Sequence, residues 1–333
     1  MSFKRTWFCT WGGLALVAAG CGGTNTATNS PDMGRPSNSC DTTSRLKFAM
    51  HQLNVPLTPT YKSDVDGDGV TENRLSSLMG TLDAMGFDIQ SALNTDVTSG
   101  KFLMMADMQG PSMMTGCTNI VVHQGSMPMS PPKFDGHDAL TVKPGETPST
   151  LPGSVSGGAL TTTGPKDQPP AAVSQMQLSV PMQDNVRLPI TVYGAQMVGS
   201  VATTGVMNGE IHGVVRKKDL DAAVIPAAAM AITNKIHNDP TSDRTKFFIA
   251  TFEDPTNTPS MTKCMSTPAQ CCAKNPATCT ITTAELQTLP LIQNMLAPDV
   301  QMFSNDVWSP KPGGTNKDSI SFGVGFGATA VSF

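Results

Sequence analysis

Aromatic and charged side chains are both scarce in this sequence. Phe, Trp and Tyr make 5% of its 333 residues, and Trp308 is the one tryptophan beyond residue 20. That leaves no aromatic platform for stacking sugars. Charged residues make 14%, against about 25% in typical soluble domains. The polar surface falls to Thr, Ser, Asn and Gln, as in many exported β-rich proteins. The formal charge is −4, and a mildly acidic chain argues against nucleic acid or anionic lipid as a partner. Catalytic signatures are missing too. The nearest run to a G-x-S-x-G elbow, GSVSG, has Val155 at the nucleophile's place, and H-E-x-x-H does not occur. The 21 methionines lack the regular Met-x-x-Met spacing of a copper site and suit gap-filling in a core. Gly323 to Gly327 reads GVGFG, but no helix follows that could cradle a phosphate. No repeat of fixed period is visible.

No apolar run is long enough to cross a bilayer as a helix. The longest, Trp7 to Gly20, follows Lys4 and Arg5 and is short of the ~20 residues a span requires. It fits a secretory signal. The run Ala18-Ala19-Gly20-Cys21 resembles a bacterial lipobox, with Cys21 as the lipidated first residue of the mature chain. Removing residues 1–20 takes away Lys4 and Arg5 and no acid, moving the formal charge to −6. GGTNTATNSPDMGRPSNS follows, nearly free of apolar residues. Such a segment cannot offset its ordering entropy and reads as a flexible tether. Gly22 after the lipidated cysteine implies the outer membrane.

Six cysteines remain beyond Cys21: Cys40, Cys117, Cys264, Cys271, Cys272 and Cys279. An even number in an exported chain reads as three disulfides. The C-x6-CC-x6-C cluster is expected to close on itself, since adjacent Cys271 and Cys272 are poorly placed to bond each other. That leaves Cys40 with Cys117. Zinc is the rival reading of the cluster, without C-x2-C spacing or a nearby histidine.

Between Leu75 and Met85 apolar residues fall at helical spacing, with Asn73 as a candidate N-cap, and a second helix is expected from Asp88 to Val97. From Lys101 the runs KFLMMADMQG, NIVVHQG, HDALTVKPG, GALTTTG, SQMQLSVPM, VRLPITVYG, AQMVGSVATTG and MNGEIHGVV read as strands. The Pro/Gly/Ser-rich segment 143–158 reads as an exposed, mobile loop. Beyond Arg216 helical spacing returns, interrupted at Pro226. KFFIATFED reads as a buried strand or short segment, TTAELQTLPLIQNML as a helix broken at Pro290, and DSISFGVGFGATAVSF as an alternating, glycine-rich strand pair that inserts in a sheet. The expected fold class is α+β, mainly β: an antiparallel β-sandwich or barrel-like sheet with an N-terminal helical hairpin and further C-terminal helices. The expected organisation is a signal peptide (1–20), a lipid-anchored tether (21–41), a calcium-loop and hairpin segment (42–100) and a β-rich domain (101–333). That domain carries helices near 216–237 and 282–296 and a disulfide-rich insertion at 264–279.

The densest chemical signal is SDVDGDGVTENRL. Asp64, Asp66, Asp68 and Gly69 match D-x-D-x-D-G, the order in which a calcium loop converges alternate carboxylates on one cation. Val70 stands where a backbone carbonyl ligates and Glu72 at the ninth position. Leu75 occupies the twelfth, where a bidentate glutamate normally closes the shell. The competing reading is an empty acidic turn. A second fragment, CTITTAEL, looks like the back half of such a loop: Ile281 at the eighth place and Glu285 at the twelfth, with Asp254 upstream as a first ligand. Its simpler reading is a helix capped by Thr282 or Thr283, with Glu285 facing the helix dipole.

The loop Asp64–Asn73, the segment Glu285–Val300 and the strand Ser319–Val331 together resemble a group of largely uncharacterised exported bacterial lipoproteins. The resemblance implies calcium binding and a β-rich domain, and implies no enzyme activity. It further implies a compact calcium loop near Glu285 and an acidic stretch before the last strand. Here cysteines interrupt the first, and VWSPKPGGTNK is not acidic. The chain is therefore expected to be a non-enzymatic, lipid-anchored envelope protein with a structural calcium and an unidentified envelope partner. The alternative is a cell-surface hydrolase whose site gathers Asp135, Glu210 and His212.

Overall fold

The computed structural model describes residues 40, 43–58, 60–110, 112, 114–182, 186–253 and 257–333. The expected leader, Cys21, residues 22–39 of the expected tether, and Asp254 lie outside the described residues. Strands β1 (Ser44–Asn54), β2 (Met104–Gly110), β3 (Thr115–Gln124), β4 (Ser149–Ser156) and β5 (Ala159–Thr162) run as an antiparallel meander. β6 (Gln175–Pro181) pairs with the first half of β7 (Arg187–Ala202), and β5 pairs with the second half. From β7 the sheet continues through β8 (Gly205–Arg216) to the C-terminal β11 (Ser319–Ala330), which returns to β1. Eight strands thus close a ring, and the expected mainly-β class takes the form of a barrel-like sheet with helices.

One apolar cluster lines the ring and takes alternate residues from each strand: Phe48 and Met50, Ala106 and Met108, Ile120 and Val122, Phe322 and Val324. Outward positions such as Thr150, Ser156 and Thr161 are exposed. The alternation in β7 changes parity at a bulge between Tyr193 and Gln196. There Gly194 has φ +61°, and a Cβ would strike the Trp308 ring at 2.6 Å. The bulge keeps Val192 and Ala195 both in the core. Trp308 itself lies on a small outer hairpin, β9 (Gln301–Ser304) with β10 (Val307–Lys311).

Helices α1 (Leu75–Ala84) and α2 (Ile89–Thr98) add Leu75, Leu78, Met79, Leu82, Ile89, Leu93 and Val97 to the same core. Asp88 caps α2 by accepting the Ser91 amide at 3.1 Å. After β8 comes a short turn of helix α3 (Lys217–Asp219), a π turn over Leu220–Val224, and α4 (Ile225–Asn238) with Pro226 in its first turn. Proline is tolerated there because first-turn amides have no intrahelical acceptor. α5 (Asp243–Phe252), α6 (Thr258–Ser266), α7 (Thr283–Thr288) and α8 (Pro290–Met295) complete the helical side. Among the described residues no helix is long and apolar enough to cross a membrane.

Several local expectations need correction. KFFIATFED is helix α5, not strand: Ser242 caps it by accepting the Thr245 amide, and Phe248 and Phe252, four apart, are fully buried. The segment 143–158 contains β4, with Leu151 and Val155 buried. Gly153 is there for proximity, since a Cβ on it would meet Thr161 O at 2.5 Å, while Gly145 and Gly157 take left-handed turn positions with open space around them. HDALTVKPG forms only isolated bridges, Gly125 with Val142 and Ala139 with Ser332. It packs Leu140 over the outer side of β1 and β2, beside Ala49 and Met105.

Cys40 is bonded to Cys117, Cys264 to Cys271, and Cys272 to Cys279. With every sulfur of the cluster paired, none is left as a thiolate for zinc.

Candidate metal centre

The loop between β1 and α1 is closed by a two-residue bridge, Ser63 N to Glu72 O at 3.2 Å and Glu72 N to Ser63 O at 3.0 Å. Within it each aspartate bends the backbone round itself. Asp64 accepts the Gly67 amide at 2.8 Å, Asp66 that of Asp68 at 3.2 Å, and Asp68 that of Val70 at 2.7 Å. Gly67 and Gly69, at φ +90° and +86°, supply the left-handed backbone that the tight winding requires. The result brings one carboxylate oxygen from each of Asp64, Asp66 and Asp68 within 4.8 Å of one another.

Burial grades across the three: Asp66 is 2% exposed, Asp64 half-buried and Asp68 exposed. Asp66 also accepts the Gly313 amide at 3.2 Å, which ties the loop to the turn after β10. Asp64 meets Lys166 Nζ at 3.3 Å. Its carboxyl is held below the usual range, the amide of Gly67 and the Lys166 ammonium outweighing a larger single effect of burial. Between the aspartates, Val65 is fully buried beside Trp308, Met302 and Val214 on the outer wall of the barrel. The loop is therefore nailed down by one apolar side chain while its carboxylates stay together.

Glu72 stands at the loop's exit. Burial first, then the charges of Asp66, Asp68, Asp299 and Asp64, push its carboxyl up to about 7. Its Oε2 is enclosed without a hydrogen-bond partner. Asp299 joins this group from far along the chain, just before β9. It accepts the amide and hydroxyl of Ser321, and burial raises its own carboxyl. Sequence reasoning did not single out Asp299; the only signal was its place in the segment Glu285–Val300 that carries the resemblance. Val70 is exposed. Leu75, at the twelfth place, is the first residue of α1 and lies in the core.

The docking surface for the loop is the outer face of β11. Inward residues of that strand are Ile320, Phe322, Val324 and Phe326; between them stand Ser321, Gly323 and Gly325. A Cβ on Gly323 would fall 2.0 Å from Tyr61 O, and one on Gly325 would enter the Tyr61 ring at 2.4 Å. Asn73 does not cap α1. Its Nδ2 donates to Thr60 O at 2.8 Å and Gly323 O at 2.9 Å, clipping both ends of the loop to the strand. Ser321 Oγ accepts the Arg74 amide at the helix start instead.

At the second fragment, Thr282 and Glu285 form a reciprocal capping box at the start of α7. Glu285 is fully buried, and its carboxylate meets Lys263 Nζ at 2.8 Å. The acid brought beside it is Glu253, through the same Lys263, at 2.7 Å.

The residues of the hydrolase alternative are divided. His212 Nε2 and Glu210 Oε2 meet at 3.0 Å on the outer side of β8. Burial lowers the His212 imidazole below its ordinary value, with Glu210 opposing. Asp135 lies in the loop over β1 and β2, accepting the His137 amide at 3.0 Å. Clefts of about 640 and 810 Å³ open elsewhere, one beside His123 and Glu146 and the other beside Cys264 and Met265. Neither is lined by Asp135, Glu210 or His212.

No protein-family model, no curated protein and no solved structure matches the chain.

Proposed function

We propose that this chain is a non-enzymatic cell-envelope lipoprotein, anchored through Cys21 at the outer membrane, whose barrel-like domain is stabilised by calcium in the loop 64–72. The observation that carries the calcium reading is the convergence of the Asp64, Asp66 and Asp68 oxygens within 4.8 Å. The nearby Glu72 oxygen without a partner supports it. Acids packed this closely repel one another unless a cation sits among them. The carbonyl of Val70 and the carboxylate of Glu72 would be the loop's further ligands, and Asp299, whose charge acts on Glu72, would take over the task that the twelfth residue has in a full loop. Bound there, calcium joins the start of the helical hairpin α1–α2 to β11 and to the turn at Gly313.

Anchoring by lipid, not by spanning, suits a barrel that is apolar inside and polar outside, the reverse of a membrane barrel. Outside the cytoplasm calcium is near millimolar, so a modest site fills. At tenfold excess over Kd, binding to the folded state alone adds about 1.4 kcal/mol. The test is metal analysis of protein purified in calcium, with melting curves in calcium and in EDTA. One calcium per chain and a higher Tm in calcium are expected. No metal and no shift would remove the reading. The Glu210–His212 contact is what favours the hydrolase alternative. Unchanged hydrolysis of a broad ester, amide and glycoside panel by H212Q would dismiss it.

A further inference from the structure

The helical side of the molecule holds a second cation-like centre. Lys263 on α6 is nine-tenths buried and its Nζ lies among four oxygens. They are Glu253 Oε1 at 2.7 Å, Thr280 O at 2.7 Å, and Glu285 Oε1 and Oε2 at 2.8 and 3.0 Å. Counted from Ile281 as the eighth residue of a calcium loop, Thr280 is the seventh and Glu285 the twelfth. The seventh ligates through its backbone carbonyl and the twelfth through both carboxylate oxygens. Those are the atoms that surround the Lys263 ammonium.

We propose that Lys263 Nζ stands in the cation position of a calcium-type half-loop, so that an intramolecular ammonium replaces the metal at this centre. Three observations support this. The oxygens converge from three separate places: the end of α5, the turn before α7, and the first turn of α7. An ammonium has three donors for these three residues, and its 2.7–3.0 Å contacts exceed calcium–oxygen distances of about 2.3–2.6 Å by only a few tenths. The carboxylates are held independently of Lys263. Glu253 accepts the amides of Cys272 at 2.8 Å and Ala273 at 2.6 Å, and Glu285 accepts the amide of Thr282 at 2.7 Å. The Cys264–Cys271 and Cys272–Cys279 bonds tie the segments that carry the cradle, Cys264 following Lys263 in the chain and Cys272 giving its amide to Glu253. Removing the ammonium therefore leaves a preformed, doubly acidic pocket for a divalent cation.

The test compares D66N, which disables the loop 64–72, with D66N/K263A and D66N/K263Q, using calcium itself as the probe. Calcium per chain is counted by equilibrium dialysis at ~1 mM, and melting is followed with calcium and with EDTA. D66N is expected to bind no calcium. D66N/K263A is expected to bind one, and to recover in calcium the Tm that it loses in EDTA. K263Q keeps a donor over the carboxylates and serves if the alanine variant folds poorly. A K263A or K263Q protein that binds no more calcium than D66N overturns the proposal, as does failure of both to fold in calcium. Calcium retained by D66N alone counts against the loop 64–72 and is scored separately, because the Lys263 result is the difference between variants.

Discussion

Asp66 and Leu75 stand for the two sides of the loop, the proposed binding and the observed folding. Asp66 is buried, accepts two amides and offers an oxygen to the cluster. D66N keeps one oxygen for the Asp68 amide, puts an NH2 in place of the oxygen that takes the Gly313 amide, and in exchange relieves the repulsion among the three aspartates. Its Tm in EDTA is expected to stay close to that of the parent protein, while the calcium-dependent rise disappears. Leu75 belongs to the core, so L75E does not restore a twelfth ligand. It places a carboxylate in the apolar cluster and is expected to cost about 3 kcal/mol or more, read by urea denaturation. His212 sets a pH dependence. Burial holds its imidazole below the ordinary 6.5, so the unfolded chain takes up the proton first. Its contribution is complete above pH 6.5 and is lost as pH falls through the lowered folded value. The stability difference between wild type and H212Q is expected to shift against wild type below pH 6.5, measured as Tm against pH.

At the scale of elements, β11 explains why the terminal sequence alternates Phe and Val with Gly and Ser. One face fills the barrel, and the other admits Tyr61 and Asn73 at backbone distance. Gly323→Ala must displace Tyr61 O. It is expected to destabilise by about 1–3 kcal/mol and to weaken calcium binding, since the same segment carries the loop. Titration calorimetry and urea melts read the two effects. The strand character of β11 was legible in the sequence because the alternation is strict, but the run forms one strand and not the expected pair. Also legible were α2, through its helical spacing, and the breaks at Pro226 and Pro290, because spacing and prolines act locally. β1 was not recognised: Ser44 to Asn54 mixes Arg, Lys, His and Gln with its apolar residues, and both its faces are partly covered. β4 was hidden by its Pro and Gly, of which Gly153 serves close strand contact. α5 was misread because Phe247 and Phe248 suggest a strand, while the buried pair is Phe248 and Phe252. Of the metal centre, the three aspartates were readable from spacing. Asp299 and the Lys263 cradle come from long-range contacts that no local pattern encodes.

At the scale of the molecule, closure of the ring depends on β11 reaching back to β1, and both carry supports from outside the sheet. The Cys40–Cys117 bond spans 77 residues and fastens the chain ahead of β1 to β3. In the chain-entropy view a loop of that length is worth about 4 kcal/mol. Cys117→Ser, paired with Cys40→Ser to avoid a free thiol, is expected to lower the urea midpoint accordingly. The loop 64–72 and the residues that follow it support the same seam, joining β11, α1 and the turn after β10. Metal there is predicted to stabilise the whole domain and not a local flap. The most direct measurement is a calcium titration of the full mature domain, with global unfolding followed by tryptophan fluorescence of Trp308 and by far-ultraviolet circular dichroism. The account predicts that both signals move together to higher Tm as calcium rises, saturate at one ion per chain, and lose that response in D66N. Unfolding that is independent of calcium in the wild-type protein would contradict it.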